Sequence, residues 1–136
     1  MNATLKNWHQ FLETRNSKIL DDLLAHDVIF YSPIVWTPQE GKMITKIYLM
    51  AALEVFGSEN SNFTYLKQVV DKNNFFLEFT TIIDGVTVNG IDMIEANEEG
   101  KIISFKVMIR PLKAMNKVHE KMGEMLEKLK NQNGKP

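Results

Sequence analysis

The chain has 136 residues, of which 44% are hydrophobic, a formal net charge of −1 and no cysteine. This length predicts one domain with one core, and the near-neutral charge argues against a nucleic-acid-binding protein, which would carry a basic field. Without cysteine, disulfides, thiolate metal sites and thiol nucleophiles are excluded. The apolar runs are far shorter than the roughly 20 residues of a membrane span, and the N-terminus has no secretory hydrophobic region. We therefore expect a cytoplasmic protein that enters no membrane.

The first half of the chain carries the pattern of three helices and one short strand. Apolar residues recur at helical spacing in three segments, whereas a run of β-branched and aromatic residues predicts the strand. The predicted elements are a helix over about 3–14, a shorter helix that is capped by Ser17 and ends at His26-Asp27, a strand over about 28–31 and a helix over about 42–56. A loop with two prolines, over 33–41, separates the strand from the third helix.

The second half reads as strands followed by one helix. Four β-rich runs cover about 63–70, 74–83, 86–96 and 101–110. Asp84-Gly85 between two of them is a strong hairpin signal, so the runs predict an antiparallel meander. Pro111 ends the last strand and begins a helix over about 112–130, whose apolar residues recur at spacings of three and four.

Three helices followed by a meander predict an α+β domain in which a curved sheet wraps around helices. The interior of such a half-cone is not filled completely by side chains. A pocket is therefore expected from the shape, before any chemistry is considered.

Three strings carry a resemblance to a known family. They are WHQFLETRNSKILDDLLAHDVIFYSP, EG at the start of a helix, and NGIDMIEANEEGKIISFKVMIRP. In this order and spacing they resemble the SnoaL-like branch of the nuclear-transport-factor-2-like superfamily. The resemblance implies one SnoaL-like domain over 1–136, a cone-shaped α+β half-barrel with a core over about 3–110 and an extra C-terminal helix over about 111–130. This fold hosts isomerases, cyclases, epoxide hydrolases, dehydratases and non-catalytic binding modules, so the fold does not decide the function.

The ketosteroid isomerases are distantly similar and can be laid against the chain without a gap from Trp8 to Leu49. Their general-base aspartate then falls at Ser32 and their oxyanion-hole tyrosine at Trp8, whereas their oxyanion-hole aspartate falls at Asp92, eight residues before Gly100. Because a serine hydroxyl without an activating neighbour is a poor base, the resemblance argues against isomerisation of that type. Asp92 is also the counterpart of the acid/base aspartate that SnoaL-type cyclases carry on their late strands.

Strand alternation supports Asp92 independently as the candidate acid. Val88, Gly90, Asp92 and Ile94 share one face of their strand, and the resemblance implies that this face lines the cone interior. Burial there raises the pKa of a carboxyl, so a protonated Asp92 could donate a hydrogen bond to a ligand carbonyl or act as a general acid. The alternative is a structural Asp92, hydrogen-bonded to Trp8, Tyr48 or backbone inside a filled core.

The candidate ligand-contacting residues come from the predicted interior of the cone. They are Trp8, Ser32, Leu49, Leu77, Phe79, Thr81, Val88, Phe105, Val107 and Ile109. The three histidines lack the spacing of metal ligands, so neither a metal nor a cofactor is expected. The opposite sheet face carries Ile91, Met93 and Met108, which are too apolar for water, and we expect a homodimer there, with the last helix covering the sheet or crossing to the partner.

These observations predict a domain that binds a small hydrophobic ligand, such as one with a carbonyl group, and leave open whether it is turned over. One alternative is a cofactor-independent cyclase, isomerase or hydrolase-type enzyme that uses Asp92 as general acid or base. A second alternative is a non-catalytic dimeric accessory or interaction domain with a filled pocket.

Overall fold

The structure is a computed structural model that describes residues 2–58 and 60–133. Its elements are α1 (Ala3–Thr14), α2 (Ser17–Leu23), β1 (Leu24–Tyr31), β2 (Gln39–Glu40), α3 (Lys42–Phe56), β3 (Thr64–Asp71), β4 (Asn74–Ile83), β5 (Val86–Ala96), β6 (Ile102–Arg110) and α4 (Leu112–Asn133). The predicted α+β class is confirmed. Within the described ranges, no helix is long and apolar enough to cross a membrane.

Six strands form one curved sheet in the order β2-β1-β6-β5-β4-β3. The strands β3 to β6 are joined as consecutive antiparallel neighbours, which confirms the predicted meander. β1 adds to β6 in parallel, and the short β2 pairs antiparallel with β1. Helix α3 therefore separates β1 and β2 from the four strands of the meander in sequence.

The N-terminal helices begin at asparagine caps. The side chain of Asn2 accepts hydrogen bonds from the amides of Thr4 and Leu5, and that of Asn16 accepts one from the amide of Lys18. Such side-chain acceptors satisfy amides that have no partner within the helix. Asn16 therefore caps α2, not Ser17 as the sequence predicts.

The predicted end of α2 at His26-Asp27 is wrong. The helix ends at Leu23, and β1 starts at once with Leu24, which pairs with Ile102 of β6. This long-range pairing overrides the local helical periodicity, because it gives the backbone of Leu24 a partner in the sheet. The predicted strand over 28–31 is consequently the second half of a longer one.

The core lies between the helices and the concave face of the sheet. Burial alternates along β4 and β5, so that the predicted inward face, with Val88, Asp92 and Ile94, is the buried one. The largest fully buried side chains are aromatic and come from α1, β4 and β6: Phe11, Phe75, Phe79 and Phe105. The outer face of the sheet remains accessible.

A bulge in β3 changes which side chains face inward. The register of β3 on β4 is regular from the hairpin turn back to Lys67, which pairs with Glu78. The register then shifts, so that Tyr65 pairs with Phe79. An unbroken register would place Leu66 opposite Phe79. The extra residue therefore turns Tyr65 to the inner face and leaves Leu66 outside, where it is exposed.

Helix α4 lies against the core and is tied to the β4–β5 turn. Ala114 and Val118 are completely buried. On a neighbouring face of the helix, the ammonium groups of Lys117 and Lys121 lie 3.6 and 3.0 Å from Oδ2 of Asp84. The following turns of α4 are only partly buried, and they pass along the edge of the interior described next.

Candidate functional site

A cavity of about 710 Å³ lies between the helices and the inner face of the sheet. Its apolar wall comes from α1, α3, α4, β1 and β6, with the side chains Trp8, Phe11, Phe30, Leu49, Leu53, Phe105, Val107 and Val118. Exposed residues such as Arg15, Asn62 and His119 also line it, so it is open to solvent at this rim. The volume lies within the range of roughly 300–1,000 Å³ that is typical of small-molecule sites.

Three polar side chains meet on the inner wall. The hydroxyl of Tyr65 donates to Oδ2 of Asp92 at 2.7 Å, and the indole Nε1–H of Trp8 donates to the oxygen of Tyr65 at 3.0 Å. These residues belong to β3, β5 and α1, and all of them line the cavity. Helix, bulged strand and central strand thus place three polar side chains in one chain of hydrogen bonds.

Asp92 is 7% exposed and holds its carboxyl away from water. Burial raises the pKa of Asp92 from 3.8 to about 7, and the hydrogen bond from Tyr65 partly opposes this rise. Burial, together with the negative charge of Asp92, raises the pKa of Tyr65 well above 10.0, so the phenol stays protonated. Near neutral pH the carboxyl is therefore present in both forms, one a donor and the other an acceptor.

The second carboxyl oxygen of Asp92 faces a different environment. Oδ2 accepts from Tyr65, whereas no hydrogen bond from the residues of 2–58 and 60–133 reaches Oδ1. Oδ1 is also not among the fully enclosed polar atoms without a partner, and Asp92 lines the cavity. Oδ1 is therefore available to a molecule in the cavity.

Ser32 lines the cavity at the end of β1 but is engaged in its own loop. Its Oγ accepts hydrogen bonds from the amides of Ile34 and Val35 at 3.0 and 3.3 Å. Among the described side chains, no carboxylate or imidazole hydrogen-bonds to this hydroxyl. Without such a neighbour a serine is neither an effective base nor an activated nucleophile, so Ser32 serves the turn.

The residues predicted from sequence divide into two groups. Trp8, Ser32, Leu49, Asp92, Phe105 and Val107 line the cavity together, whereas Leu77, Phe79, Thr81, Val88 and Ile109 do not. Leu77, Phe79, Thr81 and Val88 lie deeper in the packed core, where aromatic rings cover the inner face of β4. Ile109 is only half-buried and packs against this core. The ring centroids of Phe63 and Phe56 lie 5.2 and 5.6 Å from that of Phe79. The hydroxyl of Thr81 donates to the carbonyl oxygen of Phe56 at 2.7 Å.

Sequence reasoning missed Tyr65, the hydrogen-bonding partner of Asp92. A regular β3–β4 hairpin places this residue opposite Thr80, on the outer face, and only the bulge brings it inside. It also missed His119 and Met122 of α4 as part of the cavity wall. The apolar row of the last helix was the available signal for that wall.

Neither a family model nor a curated protein sequence matches the chain, but solved structures do. A steroid delta-isomerase from Pseudomonas aeruginosa is 32% identical over 93% of this chain and 91% of its own, with a TM-score of 0.87. An NTF2-like protein of unknown function from Cytophaga hutchinsonii ATCC 33406 is 18% identical over 82% and 91%, with a TM-score of 0.61. The chain belongs to the nuclear-transport-factor-2-like superfamily.

This nuclear-transport-factor-2-like protein also shares its fold with a SnoaL-like polyketide cyclase from Jannaschia sp. CCS1. The two are 11% identical over 85% of this chain and 90% of the cyclase, with a TM-score of 0.66. The predicted membership of the nuclear-transport-factor-2-like superfamily is confirmed, as is the cone-shaped fold, which this SnoaL-like cyclase shares. The superfamily includes isomerases and cyclases, so the function depends on the site and not on the fold.

Proposed function

We propose that the protein binds a small, mainly apolar molecule in the cavity and holds one polar group of that molecule on Oδ1 of Asp92. The observation that carries this proposal is a buried carboxyl with one unpartnered oxygen on the apolar wall of a 710 Å³ cavity. The P. aeruginosa relative, a steroid delta-isomerase, supports a steroid-sized ligand. Among the described residues, no group of His, Asp and Glu side chains could hold a metal ion, so the proposed binding rests on Asp92 and the apolar wall.

The protonation state of Asp92 selects the polar group of the ligand. Below its pKa of about 7, the neutral carboxyl donates to a carbonyl oxygen. Above that value, the carboxylate accepts from a hydroxyl and repels a carbonyl. A neutral ketone should therefore lose affinity as the pH rises, by roughly tenfold for each unit well above the pKa, because the protonated fraction falls by that factor.

Tryptophan fluorescence tests the proposal. Trp8 lies on the cavity wall, whereas Trp36 is 96% exposed in the two-proline loop, so Trp36→Phe leaves Trp8 as the reporter. We expect a neutral steroid ketone to change the emission in a saturable way at pH 6 and much more weakly at pH 9. Asp92→Asn keeps a neutral donor and should bind the ketone equally at both pH values. The absence of saturation with a steroid ketone and with a phenolic steroid would contradict the proposal.

Catalysis is a second candidate function, and the isomerase relative favours it. Asp92 would act as general acid in a cofactor-independent reaction of the isomerase, cyclase or hydrolase type. Movement of a double bond also needs a base, and the cavity offers the imidazoles of His9 and His119 for this role. Conversion of a β,γ-unsaturated steroid ketone to its conjugated isomer would be followed by ultraviolet absorbance. Asp92→Asn should slow the conversion by about 100-fold or more. A wild-type rate equal to the rate in buffer alone would contradict catalysis.

We also propose a homodimer formed through the outer face of the sheet. Large apolar side chains are exposed there, including Val69, Phe76 and Met108, and the groove between them carries both Lys67 and Glu78. A face with both signs of charge can pair with a copy of itself. Sedimentation at a concentration on the order of tens of micromolar tests this proposal. A wild-type mass near 15.7 kDa would contradict the dimer, whereas the Phe76→Glu variant should have that monomer mass.

A further inference from the structure

The hydroxyl of Tyr65 lies between a group that can only donate and a group that accepts. The indole Nε1–H of Trp8 has no acceptor capacity, so it must donate to the oxygen of Tyr65, 3.0 Å away. The proton of the hydroxyl then points to Oδ2 of Asp92 at 2.7 Å. The direction of this chain of hydrogen bonds is therefore set at the Trp8 end.

We propose that Tyr65 is the positioning residue of the site: its hydroxyl occupies Oδ2 of Asp92, so that Oδ1 meets the ligand and carries the proton when the carboxyl is neutral. Tyr65 acts through Asp92 and does not touch the ligand with its own proton. The part of this inference that concerns the ligand rests on the proposed function. The part that concerns the carboxyl is a property of the ligand-free protein.

The surroundings of Asp92 leave this role to Tyr65. On the two neighbouring strands, Asp92 lies opposite Leu77 and Val107, which are apolar. The titratable groups that line the same cavity from the other elements are His9, Glu13 and Arg15 at α1, Tyr48 of α3, Tyr65 of β3 and His119 of α4. Arg15 pairs with Glu54, and His9 is hydrogen-bonded to Gln68 at 2.6 Å. Within the described part of the chain, the hydrogen bond that reaches the Asp92 carboxyl comes from Tyr65.

Loss of the Tyr65 hydroxyl should have a defined electrostatic effect. A donor on Oδ2 stabilises the carboxylate more than the neutral acid, so the hydrogen bond lowers the pKa that burial raises. Without it, the carboxyl should ionise at higher pH and its two oxygens should become interchangeable. Trp8→Phe should act in the same direction but more weakly, because it removes only the donor that polarises the hydroxyl.

The first experiment uses ligand-free protein with ¹³C-labelled aspartate carboxyls, titrated by NMR. Asp92→Asn assigns the signal. We expect a wild-type midpoint near 7 and a Tyr65→Phe midpoint higher by roughly half to one pH unit. Tyr31→Phe removes a hydroxyl outside the cavity and should match the wild type. An unchanged or lowered midpoint in Tyr65→Phe, with an intact amide spectrum, would overturn the proposal. If Tyr65→Phe does not fold, Trp8→Phe decides by the same criterion.

The second experiment measures steroid-ketone binding against pH by equilibrium dialysis. Tyr65→Phe should keep the wild-type affinity at pH 5.5, where Asp92 is neutral in both proteins, and its affinity should fall at a correspondingly higher pH. A loss of affinity at every pH, with no displacement of the profile, would show that Tyr65 itself contacts the ligand and would overturn the positioning role. If no ketone binds but the ligand-free midpoint still rises, the proposed function fails while the positioning of the carboxyl stands.

Discussion

Replacing Asp92 by asparagine should stabilise the protein above about pH 4, by an amount that grows with pH up to about 7 and is then constant. The carboxyl has a pKa of about 7 in the folded chain, against 3.8 in an ordinary environment. Between these values the folded state binds a proton that the unfolded state has released. The stability that Asp92 contributes is therefore fully present below about pH 4 and is lost as the pH rises through 7. An asparagine amide has similar shape, accepts from Tyr65 and never ionises.

The size of the effect follows from the two pKa values. At about 1.4 kcal/mol for each pH unit between them, ionisation of Asp92 costs the folded state about 4 kcal/mol. Domains of this size have free energies of unfolding of roughly 5–15 kcal/mol, so the cost is a large part of the total. Between pH 5 and pH 8.5, the advantage of Asp92→Asn over the wild type should grow by about 3 kcal/mol.

Urea unfolding of both proteins at the two pH values, at constant ionic strength, measures this growth. Titration of all other groups cancels in the difference between wild type and variant, provided that the two unfolding slopes agree. Asp71→Asn, at the exposed end of β3, is the matched control and should show no pH-dependent difference. A growth below about 1 kcal/mol, or one of opposite sign, would refute the reasoning that a desolvated carboxyl sits on the cavity wall.

Two further predictions concern the packing around the site. A Cβ at Gly90 would lie 2.5 Å from Phe79 and 2.7 Å from the carbonyl oxygen of Met108, so Gly90→Ala should destabilise the protein by about 1–3 kcal/mol in the same assay; a neutral result would mean that Phe79 can move. Asp84→Asn removes the two ion pairs that join α4 to the β4–β5 turn and should speed amide exchange along that helix. Salt at about 0.5 M should abolish this difference. Because Lys121 lowers the pKa of Asp84, the slower exchange of the wild-type helix should persist at neutral pH and disappear in strong acid. Equal exchange rates in the two proteins at low salt would argue that these ion pairs do not hold α4 to the turn.

Local patterns predicted the elements whose partners are adjacent in sequence. The β4–β5 hairpin was predicted with its observed bounds, because Asp84-Gly85 supplies the turn and alternation sets the faces. Pairing over long distances was not visible. The early start of β1 at Leu24 depends on β6, some eighty residues away, and β2 exists only because Glu40 meets Ile29.

The same contrast between local patterns and long-range pairing applies to the residues of the candidate site. Asp92 was found because its strand alternates without a break, so a polar residue on the inward face stands out. Tyr65 was not found, because β3 carries a bulge for which the local sequence gives no signal. Extrapolation from the β3–β4 turn puts Leu66 on the inner face instead. A carboxyl could therefore be predicted from the sequence, but the donor that directs it could not.

The glycine in the middle of α4 lines the cavity, and open space surrounds the place where its side chain would be. Apart from its two chain neighbours and the backbone of its own helix, no heavy atom of the described residues lies within 4 Å of the point where a Cβ of Gly123 would be. Glycine inside a helix costs roughly 1 kcal/mol relative to alanine. Glycine at this position therefore lowers the stability of the helix and leaves the opening of the cavity wider than a larger residue would. Successively larger residues there would narrow the opening in steps while leaving Asp92 and Tyr65 untouched, so the rate at which a ligand enters can be set separately from the chemistry that holds it.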